Sequence, residues 1–103
     1  MVSRNKFWCK TIITTTEFVV AICDEELLGR KIKIDHEFSI CISENFYKEK
    51  LIDKNEALEL MKRATILNLF GRRIIEIAKE IGLISSENVI YFDGVPHAQF
   101  IKI

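Results

Sequence analysis

From Lys31 onward the chain alternates with a period of two. Ile32, Ile34, Phe38, Ile40 and Ile42 are apolar, whereas Lys31, Lys33, Glu37, Ser39 and Ser43 are polar. Successive side chains of a strand point to opposite faces, so this pattern describes extended chain with one wet and one buried face. Read without a break, it would turn His36 into the core, where an imidazole without a partner is costly. Asp favours turns, so we expect the strand to break at Asp35-His36. Upstream, residues 7–14 and 18–23 are rich in aromatic and β-branched side chains, and the short polar Thr14-Thr15-Thr16-Glu17 between them suits a hairpin. A loop centred on Thr16 would set Cys9 opposite Cys23.

The period changes at Asp53. Asp is a good helix N-cap, and Glu56 three residues later completes a capping box. Ala57, Leu58, Met61 and Ala64 then form the apolar stripe of a short helix ending near Ala64. Ile66, Leu67, Phe70, Ile74, Ile77, Ala78 and Ile81 recur at helical spacings and predict a second helix, stopped by Gly82. Gly71 inside that pattern costs about 1 kcal/mol relative to Ala, so it marks a close crossing or a joint between two helices. Residues 89–92 and 98–103 return to strand character, with turn chemistry in Asp93-Gly94-Val95-Pro96-His97. Strands gather at the ends of the chain and helices in the middle. The expected fold is therefore α+β: a largely antiparallel sheet of about five strands, covered on one face by two helices.

Length makes this a single domain over residues 1–103, since two cores would each be too small to stabilise themselves. Hydrophobic residues form 49% of the chain, enough for a real core. Fifteen basic side chains balance fifteen acidic ones, which excludes a strongly cationic domain held on nucleic acid by charge alone. The longest apolar runs, 18–23 and 66–70, are far short of a membrane span, and no secretory leader pattern opens the chain. Three cysteines are too few and too odd a set for a disulfide scaffold. A cytoplasmic protein is expected.

Few residues carry recognisable chemistry. Cys9, Cys23 and Cys41 lack the close pairing of a metal site and read as small hydrophobes, with a Cys9–Cys23 disulfide left open. The acidic turn Asp24-Glu25-Glu26 can hold a hard cation or merely blunt a strand end. His97 lies in the last turn beside Gln99 and can act as a base, a ligand or a turn contact. Arg72 and Arg73 follow Gly71, with Lys62 and Arg63 upstream; helical spacing would put Asn68 and Arg72 on one face, suited to phosphate or to pairing with Glu59 and Glu76. Phe46 and Tyr47 are expected as exposed aromatics in a loop, able to stack bases or to pack a sheet edge. No nucleotide-binding, zinc-finger or nucleophile-elbow spacing occurs, so no cofactor, metal or catalytic residue is assigned.

Four stretches together carry a resemblance. They are Cys23-Asp24-Glu25-Glu26-Leu27-Leu28-Gly29, Ser43-Glu44-Asn45-Phe46-Tyr47, Ala64-Thr65-Ile66-Leu67-Asn68-Leu69-Phe70-Gly71 and Gly94-Val95-Pro96-His97-Ala98-Gln99. In order and spacing the chain resembles the archaeal family catalogued as "domain of unknown function 424", from the first hairpin to the C-terminus, with residues 1–5 as an N-terminal extension. The resemblance implies a small archaeal cytosolic protein with a role near RNA or translation. The expected function is a non-enzymatic module that docks on RNA or a protein of the translation apparatus through Asn68, Arg72, His97 and Gln99. The alternatives are a small enzyme or metal-binding protein using Asp24-Glu25-Glu26 and His97, or a homodimer paired through the edge Phe100-Ile101-Lys102-Ile103.

Overall fold

Eight strands and three α-helices follow one another through residues 6–33 and 35–102, the residues described by the computed structural model. The extension at 1–5, together with Ile34 and Ile103 of the expected strand patterns, lies outside them. Strands β1 (Lys6–Ile13) and β2 (Phe18–Asp24) form the first hairpin. Its loop closes tightly: Thr14 N–H donates to the Glu17 carbonyl at 2.9 Å, and Glu17 N–H donates to Thr14 Oγ1 at 2.8 Å. Ile13 therefore pairs with Phe18, and Trp8, not Cys9, stands opposite Cys23. That one-residue difference in register puts the two cysteines on opposite faces of the sheet, and both are free thiols.

The alternating stretch does break where Asp35 stands. β3 (Lys31–Lys33) and β4 (Ser39–Cys41) pair as a small second sheet. Asp35 Oδ1 accepts from the backbone N–H groups of Glu37 and Phe38, at 2.8 and 2.9 Å, and His36 is exposed. A one-turn helix, α1 (Glu44–Tyr47), and an edge strand, β5 (Lys50–Asp53), come next; the sequence pattern had marked neither. α2 (Lys54–Arg63) carries the expected capping box: Asp53 accepts from Glu56 N–H while the Glu56 side chain accepts from Asp53 N–H. After β6 (Ile66–Phe70) and α3 (Arg72–Glu80), β7 (Val89–Phe92) and β8 (Val95–Ile101) form a hairpin. Asp93 and Gly94 turn it with φ of 52° and 79°, the left-handed pair that matches strand twist in a two-residue loop.

The main sheet has the order β5-β1-β2-β6-β8-β7. It is mixed, with β2 and β6 parallel and every other neighbouring pair antiparallel. The α+β class stands, but six strands, a parallel pair and a third short helix replace the expected five largely antiparallel strands and two helices. Residues 66–70 are strand, not the first turns of a helix. β6 is central, and because Ile66 and Phe70 flank Asn68 on its second face, four of its five residues are apolar and its period-two signature is weak.

The two faces of the sheet are built differently. α2 and α3 lie on one face and bury Phe7, Val20, Ile22, Leu67 and Leu69 against Met61, Ile74 and Ile75. On the other face, β3, β4 and α1 form a partial cover, with Ile32, Ile42 and Tyr47 packed over Ala21, Cys23 and Phe70. Cover on both sides therefore replaces the expected single layer of helix. Beyond α1 the second face is open. There Ile12, Val19, Ile66 and Ile101 stand in register across four strands as an apolar row, and Ile12 and Ile101 are exposed. No described helix is long and apolar enough to cross a membrane.

Candidate functional site

Helix α3 begins without a local cap. Gly71 precedes it and has no side chain to accept the first free N–H groups. The acceptor arrives from the end of β2: Asp24 Oδ2 accepts from Arg73 N–H and Oδ1 from Ile74 N–H, each at 3.0 Å. Asp24 is buried, which pushes its carboxyl above the ordinary range, opposed by these two N–H groups and by Arg73. Gly71 is obligatory here on two counts. Its φ is +124°, and a Cβ at this position would stand 2.4 Å from Asp24 Cγ. Thus the glycine expected to mark a close approach marks one between β6, α3 and a carboxylate.

Arg73 completes this corner. Its guanidinium pairs with Glu26 through Nη2 and lies 5.0 Å from the centre of the Phe7 ring. Its Nη1 is buried and has no acceptor among the described residues. A cleft of about 350 Å³ opens beside it, lined by Asp24, Glu26, Arg30, Arg72 and Arg73 and by the β7–β8 turn. It sits at the carboxyl ends of the parallel strands β2 and β6, where α3 starts. Arg30 and Arg72 are exposed and form no ion pair with the described residues. Chemically this is a polar cleft with surplus cationic donors, fit for an anion.

The second polar group lies on the face away from α2 and α3. Asn68 points there from β6, and its Oδ1 accepts from Tyr47 O–H at 2.7 Å and meets His97 Nε2 at 3.1 Å. An amide oxygen only accepts, so Nε2 carries the hydrogen. The His97 ring stacks edge-on against Phe70, 4.9 Å between centroids, and burial lowers its pKa, so the imidazole is neutral at pH 7. Burial raises the Tyr47 hydroxyl as well. It also drives the Cys9 and Cys23 thiols up to about 11 and about 12, which leaves both protonated and poorly nucleophilic near neutrality.

Set against the sequence, the four contact residues divide. Asn68 and His97 meet each other; Gln99 pairs with Asn68 across β6 and β8 and is exposed. Arg72 is apart from them in the cleft. Asn68 is on a strand and Arg72 on the helix after it, so the shared helix face does not exist. Nor does the structure join the acidic turn to His97. Asp24 caps α3 on the helical side, whereas His97 packs on Phe70 and Phe92 on the other. Among the described residues no group of three or more acidic, His or Cys side chains converges as a metal site. Tyr47 is buried, contrary to the expected exposed aromatic pair; Phe46 alone is exposed, and it meets the Tyr47 ring edge-on at 4.8 Å. At the terminal edge, β8 pairs with β6 through Ile101 but with β7 only through Ala98, so Phe100 and Ile101 have no β7 partner on their outer side.

The roles of Asp24 and Arg30 went unread in the sequence. A helix start marked by Gly with no Ser, Thr or Asp beside it was the available signal, because a missing local cap must come from elsewhere in the chain.

This combination defines a small α+β protein with a hydrogen-bonded Tyr47–Asn68–His97 trio on one face and two arginines without ion pairs at one cleft. The chain belongs to the family described as "Protein of unknown function (DUF424)", whose model matches residues 13–103. It is also similar to an uncharacterized conserved protein from Methanopyrus kandleri of known crystal structure. That similarity has a TM-score of 0.74 and 25% sequence identity, covering 95% of this chain and 94% of that one. No match was found among curated proteins.

Proposed function

We propose that this protein is a non-enzymatic binding module that docks on RNA, or on an RNA-bearing particle of the translation apparatus, with Arg72 as its phosphate-binding group. The observation that carries the reading is the cleft itself. Arg30 and Arg72 line it, exposed and without an ion pair to any described acidic residue. A phosphate oxygen would satisfy such donors. The groups suited to catalysis support the same reading: Asp24 is a helix cap, His97 is held by Asn68 and the buried thiols are protonated. Gln99 lies exposed on the other face as a secondary contact, opposite Asn68 across β6 and β8 and two residues from His97.

With no net charge on the chain, affinity must come from this local patch and fall as salt rises, with the shallow slope of a few phosphate contacts. The test is capture from an archaeal extract with and without nuclease, followed by mass spectrometry. Ribosomal proteins and RNA that disappear after nuclease, and that Arg72→Ala fails to retain, are the expected result. Capture that is unchanged by Arg72→Ala overturns the assignment.

A homodimer through the open sheet face is the second reading, favoured by the in-register row of Ile12, Val19, Ile66 and Ile101. Sedimentation that shows only monomer at high concentration removes it.

A further inference from the structure

The sheet edge beside α2 carries features that neither the arginine cleft nor the open face uses. β5 pairs with β1 only from Lys6 to Cys9, while β1 runs on to Ile13. Both backbone groups of a strand residue point to one side, and neighbouring residues point to opposite sides. Cys9 faces β5, its carbonyl accepting from Glu49 N–H at 3.1 Å. Thr11 and Ile13 therefore turn their backbone groups to the same side, beyond the reach of β5. Glu49 covers part of this edge: its Oε1 accepts from Thr11 N–H at 3.0 Å and from Thr11 Oγ1 at 3.3 Å. A carboxylate oxygen thus stands where the carbonyl of a further strand would stand.

Behind the edge lies a cavity of about 460 Å³ between β1, β5 and α2. Buried Cys9 and Ile52 and half-buried Leu60 make its walls apolar, and Glu49, Glu56 and Glu59 stand around it. Lys50 pairs with Glu56 at 3.2 Å, which leaves the rim net negative.

We propose that this edge is a strand-addition site for an extended, cationic segment of a partner protein. The segment continues the line of β5 along residues 11–13 and displaces the Glu49 carboxylate. It places one apolar side chain in the cavity and sets Lys or Arg residues beside Glu56 and Glu59. Backbone pairing supplies affinity and the acidic rim selects charge. The same rim disfavours a second copy of this chain, because two such edges would bring their carboxylates together. None of these residues lines the arginine cleft, so this inference and the RNA reading stand or fall separately.

Nuclear magnetic resonance titration of isotope-labelled protein tests the proposal, with an octapeptide that sets lysine, valine and lysine on one face of the strand (Thr-Lys-Thr-Val-Thr-Lys-Thr-Thr) and the same peptide with glutamate in place of lysine as control. The expected result is saturable shifts at residues 10–13, Glu49 and 55–60 with the lysine peptide alone. Glu59 is exposed, so Glu59→Lys leaves the fold intact and weakens binding about tenfold. Absence of shifts at millimolar peptide, equal binding of both peptides, or shifts confined to other surfaces would overturn it. So would shifts at this edge that grow with protein concentration in the absence of peptide, the sign of self-association.

Discussion

The two sides of β6 solve different problems with one short strand. Leu67 and Leu69 enter the core under α2 and α3, where shape and volume alone decide stability. Ile66, Asn68 and Phe70 face the other way, and each meets a different environment: open surface, a hydrogen-bonded trio and an apolar pocket under Tyr47. The helical side is uniform and tolerant of similar aliphatic residues. The other side is a mosaic in which each position has its own partner, and polar satisfaction sets the cost of change there.

The sharpest way to break this contrast is at the joint that ends β6. Gly71→Ala forces a Cβ onto the Asp24 carboxylate in a backbone conformation few side chains adopt. It is expected to cost at least about 3 kcal/mol in urea unfolding. In an Asp24→Ala background the same change costs less, because only the backbone strain remains; additive penalties in that double-mutant cycle would refute the steric account. Next come the two faces themselves. Leu69→Ala should lose about 3 kcal/mol and Ile66→Ala about 1 kcal/mol or less, three positions apart on the same strand.

Asn68→Leu keeps the branched shape but strips Tyr47 and His97 of their acceptor, for an expected loss of about 2 kcal/mol. Tyr47→Phe loses about half as much. The smallest effect is in pH. The folded pKa of His97 lies below its ordinary 6.5, so its contribution is complete above that value and is lost as pH falls toward the folded pKa. Stability measured between about pH 7 and pH 5 should therefore slope downward, and His97→Gln should flatten that slope. An unchanged slope would mean that the imidazole is not held neutral.

Local chemistry was legible and distant chemistry was not. The α2 capping box and the Asp35 break lie within a few residues of sequence and appear where their residues predict them. Of the expected turn 93–97, only Asp93-Gly94 turn, whereas Val95, Pro96 and His97 belong to β8. β6 differs from the expected helix because apolar Ile66 and Phe70 on its second face blur the alternation, and an apolar-rich run leading into Arg72 then looks like helix. The Cys9–Cys23 opposition failed by one residue because the closure of the Thr14–Glu17 turn, not its centre of polarity, sets the register. The cap of α3 spans 50 residues between Asp24 and Ile74, beyond the reach of any local pattern. Of the candidate contacts, Gln99 is exposed and Arg72 lines a cleft, 27 positions apart in sequence and on separate elements. The mutual bonding of Asn68 and His97 emerged only from strand pairing.

The parallel alignment of β2 with β6 also orders events in time. The hairpins β1–β2 and β7–β8 close over a few residues and can form early, whereas Phe18 meets Thr65 across 47 residues of intervening chain. The entropy of closing that loop is compensated only when both strands and their covering helices arrive together, so the two halves of the sheet join late and at once. Because Asp24 ends β2, the first turn of α3 gains its cap at the same step. A slow, single-exponential refolding phase is the kinetic signature of such an arrangement.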